Sequence, residues 1–212
     1  MKKIKAVLLL SLFSLMGTSL NTWADAMSWN LARDVVFIKS NPAPNSPWAF
    51  MQNASGTNNP ENYTLLPFFK ADDCNGNPVT CWQDPASRAH VSVHFKPYTF
   101  TGNGTFSLTP GSVAFHPGEN SQTIIRWSSP IVGEVNVLGR VNHVHDTCGD
   151  GVAWSLNVDG TVIQSGSLAR GKGTVFSATK VPVTKSSALY FVLDKNANFS
   201  CDTSTIDMLI TN

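Results

Sequence analysis

The residue types best suited to chemistry are concentrated in one stretch, RVNHVHDTCGDG at residues 140–151. In an extended strand His143 and His145 project to one face about 7 Å apart at Cα. That makes a workable pair of imidazole ligands for a transition metal. His90 and His94 alternate in the same way in another run and could join them, which would build a metal-dependent hydrolase or lyase on a β scaffold. No complete metal signature is present, because Cys148 and Gly149 stand where a carboxylate ligand beyond the H-x-H should fall. The other reading is two histidines on a solvent face. For a hard cation, Asp146 and Asp150 offer oxygen ligands together with loop carbonyls. If Cys148 is bonded to Cys201, Asp202 joins them and calcium becomes the expected ion. The plainer alternative is aspartate as a turn-former in a Gly-rich loop.

Sugar binding calls for a different set of residues: exposed aromatic faces flanked by hydrogen-bonding side chains. Trp127 and Trp154 alternate with apolar partners and read as core. Trp82, beside a cysteine in a loop, and Trp48, after a proline-rich connection, are the candidate platforms, with Arg126 as a candidate polar contact. Nucleophilic catalysis finds little support. There is no G-x-S-x-G, and the three glutamates (Glu61, Glu119 and Glu134) show no spacing that pairs carboxylates across a cleft.

The elements that must position these residues are strands. Period-two alternation recurs at residues 105–109, 123–127, 134–138, 140–145, 152–158, 161–164, 173–178, 188–193 and 206–210, each run bounded by Gly, Pro, Asn or Asp. Asp159-Gly160, between two of these runs, is a type I′ hairpin signal. Residues 90–95 form a further strand, and residues 29–38 read as a short strand or a turn of helix. With no helical period of useful length, the expected fold is a single antiparallel β-sandwich of jelly-roll type over residues 25–212. The composition agrees. Charged residues make up 14% of the chain and hydrophobic residues 42%, with 15 Gly and 12 Pro. That balance fits many short strands joined by tight turns rather than a helical bundle or a charged disordered tail.

Residues 1–24 carry Lys2, Lys3 and Lys5 ahead of an apolar core of signal-peptide length, with small residues at Ala24 and Ala26 where cleavage would fall. Removing them turns the formal net charge of +1 into −2 for the remainder. No basic run survives that would favour nucleic acid or an anionic membrane, and no later apolar run reaches membrane length. An exported chain with four cysteines implies two disulfides. Cys74 and Cys81 flank NGNPVT, a segment of strong turn chemistry. Of the three possible connectivities, 74–81 with 148–201 is therefore favoured.

Several short motifs add a resemblance. VAFHPG at 113–118, RWSSP at 126–130, GDGV at 149–152 and the DG at 159–160 follow one another in the order seen in a bacterial exported module. NPAPNSPWAF at 41–50 is similar to that module's opening, and DTST at 202–205 to its close. The chain thus resembles carbohydrate-binding-module-like β-sandwich domains across roughly residues 41–210. It departs from them in its four cysteines and in the His143/His145 pair. The resemblance implies ligand binding without catalysis. The resulting expectation is a secreted or periplasmic protein that binds a glycan or other extracellular ligand, is stabilised by calcium, and neither binds nucleic acid nor inserts in a membrane once the leader is gone. The alternatives are the metal enzyme above and a host- or envelope-facing protein-interaction domain.

Overall fold

The computed structural model describes residues 26–102 and 104–212. The expected leader, with the first cleavage point after Ala24, lies outside these residues. In chain order the strands are β1 (Ser28–Asn30), β2 (Trp48–Asn53), β3 (Thr64–Leu65), β4 (Phe68–Lys70), β5 (Thr80–Gln83), β6 (His90–Val93), β7 (Tyr98–Phe100) and β8 (Phe106–Leu108). They continue with β9 (Val113–His116), β10 (Gln122–Ser128), β11 (Gly133–His143), β12 (Val152–Val158), β13 (Thr161–Leu168), β14 (Gly173–Val183), β15 (Ala188–Lys195) and β16 (Ser204–Thr211). One short helix, α1 (Leu31–Asp34), follows β1 and is capped by the Asn30 side chain, which accepts from the Arg33 N–H at 2.9 Å. No helix among the described residues is long and apolar enough to cross a membrane.

The second half of the chain is a rolled ribbon. β12 pairs with β13, β11 with β14, β10 with β15 and β9 with β16, all antiparallel and nested around the 159–160 turn. Alternate pairs fall in opposite sheets, which is the jelly-roll arrangement. One sheet runs β14-β11-β16-β9-β6-β5-β4 with β1 also on β16, and the other runs β13-β12-β15-β10-β2-β3. The strands before β9 therefore widen both sheets beyond the ribbon, and β7 and β8 form a separate hairpin.

Alternation decides which side chains fill the interior. From one sheet Val91, Val93, Phe115, Val137, Val141 and Ile206 face Phe50, Ile125, Trp127, Leu156, Phe191 and Leu193 from the other. The ring of Trp82 on β5 meets Phe50 on β2 at 4.3 Å between centroids, joining the two layers. The run at 134–138 and the first part of that at 140–145 are one strand, because Gly139 lets the chain continue beneath Phe176, whose ring a Cβ there would strike; β11 ends at His143, so His145 lies beyond it. The 159–160 hairpin is present, but of its two residues only Asp159 takes a positive φ, at 50°, so it departs from the type I′ pair. Both expected disulfides are present, Cys74–Cys81 and Cys148–Cys201.

Candidate functional site

A pocket of about 330 Å³ lies on the outer face of the larger sheet. Its floor follows from strand register. His90 on β6 stands directly opposite His116 on β9, and Ser92 stands opposite Ala114. Because Val91, Val93 and Phe115 must point into the core, these alternate residues point out. His94 continues the same face just beyond β6. The β7–β8 hairpin folds over one side with Tyr98, Phe100 and Phe106, and the Tyr98 hydroxyl donates to Asn77 Oδ1 at 2.9 Å. That contact ties the hairpin to the loop closed by Cys74–Cys81. The opposite rim is the segment around Phe199 and Cys201, held by Cys148–Cys201.

Four of the chain's five histidines line this one pocket: His90, His94, His116 and His145. The His90 and His116 rings are parallel within 9°, with centroids 5.3 Å apart. His145 is wedged edge-on against Phe106 at 4.6 Å and places Nδ1 3.3 Å from Cys148 Sγ. Phe199 lies edge-on to His116, with the Arg88 guanidinium 5.9 Å above its ring. Burial lowers the basicity of these rings. His94 and His145 are pushed down to about 4 and His116 to about 3 by desolvation, with neighbouring histidines adding to each shift, and His90 is lowered for the same first reason. At neutral pH the pocket is therefore lined by uncharged imidazoles, aromatic rings and amides, with Arg88 the one cationic side chain among its described lining residues. No carboxylate lies among its described lining residues.

The residues singled out from sequence are distributed differently from expectation. Trp48 and Trp82 are both 0% exposed, so neither offers a face to a sugar. The loop position of Trp82 was misleading, because it is the inward residue of β5, between Cys81 and Gln83. Trp48 sits opposite Trp127 on β10, and its indole donates to Asp34 at 3.0 Å. Arg126 belongs to the other sheet, between Ala49 and Tyr190 on its outer face, away from the pocket. The solvent-face reading of His143 and His145 is also corrected, because both are buried. Their rings lie 6.2 Å apart, but only His145 reaches the pocket. His143 Nε2 instead lies 3.7 Å from Asp202 Oδ1, too long for a hydrogen bond, in a fully buried pair. Burial raises the Asp202 carboxyl above its usual value, opposed by His143.

The three aspartates proposed for calcium do not converge. Asp146 is exposed, and Asp150 is occupied with accepting from the Ala197 and Asn198 N–H groups at 2.8 and 3.3 Å. The one group of three ligand-type atoms drawn together among the described residues is His145 with Cys148 and Cys201. Those two sulfurs are bonded to each other, so they are not thiolate ligands. Sequence reasoning missed His116, Phe199, Tyr98, Phe100 and Phe106 as site residues. His116 was visible only as part of a turn motif, and its pairing with His90 is a matter of register.

No protein-family profile and no curated protein matches the sequence. Solved structures do. A CBM51 module from Clostridium perfringens GH95 in complex with methyl-galactose is 10% identical, with a TM-score of 0.39 over 57% of this chain and 92% of that one. A CBM36 module in complex with calcium and xylotriose is 12% identical, with a TM-score of 0.31 over 56% and 94%. A CBM61 module in complex with beta-1,4-galactotriose is 16% identical, with a TM-score of 0.33 over 47% and 68%. The likeness is to carbohydrate-binding modules. It is a likeness of β-sandwich fold.

The sequence motifs at 41–50, 113–118 and 149–152 have structural roles. Asn41 donates to the Phe50 and Leu66 carbonyls at 2.6 and 2.9 Å and accepts from the Phe50 N–H at 3.1 Å, stitching the opening segment to β2. Gly118 is required where a Cβ would run into Ser121 and the Ser87 carbonyl, and Gly151, at φ 89°, where it would strike the Leu168 carbonyl. Asp150 between Gly149 and Gly151 anchors the 196–198 turn. Of the departures from the pattern, both disulfides and His145 collect instead around the pocket, while His143 faces Asp202.

Proposed function

We propose that this is an exported, non-catalytic binding protein that takes a neutral glycan in the histidine-lined pocket. The observation that carries the reading is the pocket wall itself. Phe100, Phe106, Tyr98 and Phe199 offer apolar ring surface, while Asn75, Asn77, Ser92 and the neutral imidazoles offer hydrogen bonds, a combination suited to sugar C–H faces and hydroxyls. The lack of a carboxylate among the described lining residues argues against the paired acids of glycoside hydrolysis. Two disulfides support export to an oxidising compartment.

A glycan array with the purified protein tests this directly, followed by calorimetry on the best ligand. Phe199→Ala should weaken binding at least tenfold while changing Tm little, since Phe199 is only partly buried and its ring contacts are with His116 and Arg88. A blank array, or a ligand whose affinity ignores Phe199→Ala, would sink the assignment.

A further inference from the structure

The disulfide on the pocket rim carries a second chemistry once its bond is opened. His145 Nδ1 lies 3.3 Å from Cys148 Sγ. One ring nitrogen of His145 and the sulfurs of Cys148 and Cys201 all lie within 4.8 Å of one another. Tetrahedral zinc, with Zn–S about 2.3 Å and Zn–N about 2.0–2.1 Å, sets its donors about 3.5–3.8 Å apart. The three donors are therefore near that spacing already, apart from the covalent bond between the sulfurs. The Cα atoms of Cys148 and Cys201 are 5.8 Å apart, so side-chain rotation is enough to part the sulfurs after reduction. Gly104 keeps the space beside them clear: a Cβ there would lie 3.0 Å from both Cys148 Sγ and His145 Nδ1, and 3.1 Å from Thr147 Oγ1. The two disulfides also differ in access. Cys74 and Cys81 are 2% and 0% exposed, whereas Cys148 and Cys201 are partly exposed and Cys201 lines the pocket. A reductant in solution meets the rim disulfide first.

We propose that reduction of Cys148–Cys201 by an external dithiol turns the rim into a site for one zinc ion, held by Cys148 Sγ, Cys201 Sγ and His145 Nδ1, with the fourth position open to water from the pocket. The dithiol delivers two electrons and two protons to the S–S bond and leaves as its own disulfide. Zinc then takes both sulfurs as thiolates, and their two protons pass to solvent. Thiolate and imidazole donors select zinc over calcium or magnesium. The ion links the same two loops that the disulfide linked, so the pocket rim stays closed in the reduced protein. His143 is outside the donor set because it faces Asp202.

Zinc alone is the probe, so a blank glycan array leaves this site untouched. Mild treatment with a dithiol, followed by desalting without oxygen, should give two thiols per chain, mapped by mass spectrometry to Cys148 and Cys201. Calorimetric titration of that protein should show one zinc ion bound at least a hundredfold more tightly than by the oxidised protein. Cobalt(II) in place of zinc should give the thiolate charge-transfer absorption of a four-coordinate site. Cys148→Ser should abolish tight binding, His145→Gln should weaken it at least tenfold, and His94→Gln should change it less than threefold. Equal affinity of the oxidised and reduced proteins would overturn the proposal, as would an affinity indifferent to His145→Gln or the absence of stoichiometric binding. Should reduction or a variant loosen the fold, zinc added to the reduced unaltered chain decides the matter. Recovery of the oxidised protein's circular dichroism and Tm, with a nitrogen NMR shift at His145 Nδ1, supports the site; no recovery, or shifts confined to other histidines, defeats it.

Discussion

The two sheets of the sandwich have equivalent outer faces by geometry, yet the chain treats them in opposite ways. On the smaller sheet, Met51, Ile124, Tyr190 and Val192 point outward but are buried, because Tyr63, just ahead of the edge strand β3, packs against them together with Leu65. Tyr63 meets Tyr190 edge-on at 5.1 Å, and Asn53 bridges to the Thr57 carbonyl and to Gln122 at 2.7 Å each. On the larger sheet the corresponding positions carry His90, Ser92, Ala114 and His116, and the covering elements stop at the rim. One face has become a second small core and the other a pocket. The difference lies in side-chain chemistry: aliphatic and tyrosyl groups gain by complete burial, whereas imidazoles and amides keep hydrogen-bonding capacity that full closure would strand.

This contrast can be broken at several points. The largest effect should come from Cys148→Ser/Cys201→Ser, which frees one wall of the pocket. A cross-link over a sequence separation of 53 residues stabilises by about 4 kcal/mol on loop-entropy grounds. Thermal unfolding should therefore show a large fall in Tm together with loss of ligand binding, and retention of both would mean that the rim is held some other way. On the closed face, Ile124→Ala should cost about 2–5 kcal/mol in chemical denaturation and leave affinity in the pocket unchanged. A loss of affinity equal to that of Phe199→Ala would show that the two faces are coupled rather than separate.

The smallest effect is a pH dependence that belongs to the open face. Unfolded histidine titrates near 6.5, whereas His94, His145 and His116 titrate at about 4, 4 and 3 in the folded chain. Between these values the unfolded state binds more protons, so the stability contributed by the neutral rings is complete above about pH 6.5 and is lost as pH falls toward 4. Asp202, with its raised value, works in the opposite sense: its contribution is full at low pH and lost as pH rises through its folded value. Tm should fall from pH 6.5 to 4, and His94→Gln should flatten that slope. A flat profile in the unaltered protein would contradict the burial of these rings.

Much of the scaffold was legible in advance. The run at 152–158 coincides with β12, and the NGNPVT turn between Cys74 and Cys81 correctly pointed to their pairing. Both rest on local physics, namely strand alternation and the ease of closing a short loop. The tryptophans show where local reading fails. Trp82 sits among loop-forming residues, yet four residues of β5 are enough to give it an inward direction, and Phe50 from the other sheet completes its surroundings. The aspartates fail for a related reason. Cys148–Cys201 does bring two loops together, but Asp202 turns inward to His143 while Asp150 turns to the 196–198 backbone.

By itself, then, the sequence determined the strand-rich class, the disulfide pairs and the turns, because alternation, glycine conformations and short-loop closure act over a few residues. Only the tertiary structure decided the pocket. His90, His116 and His145 are separated by long stretches of chain, and they meet because β6 pairs with β9, β9 with β16 and β16 with β11 in one particular register. A shift of one residue in any of those pairings would turn the histidines into the core and the valines out to solvent. That register is set by the burial of the opposite face, so the site depends on residues that never touch it.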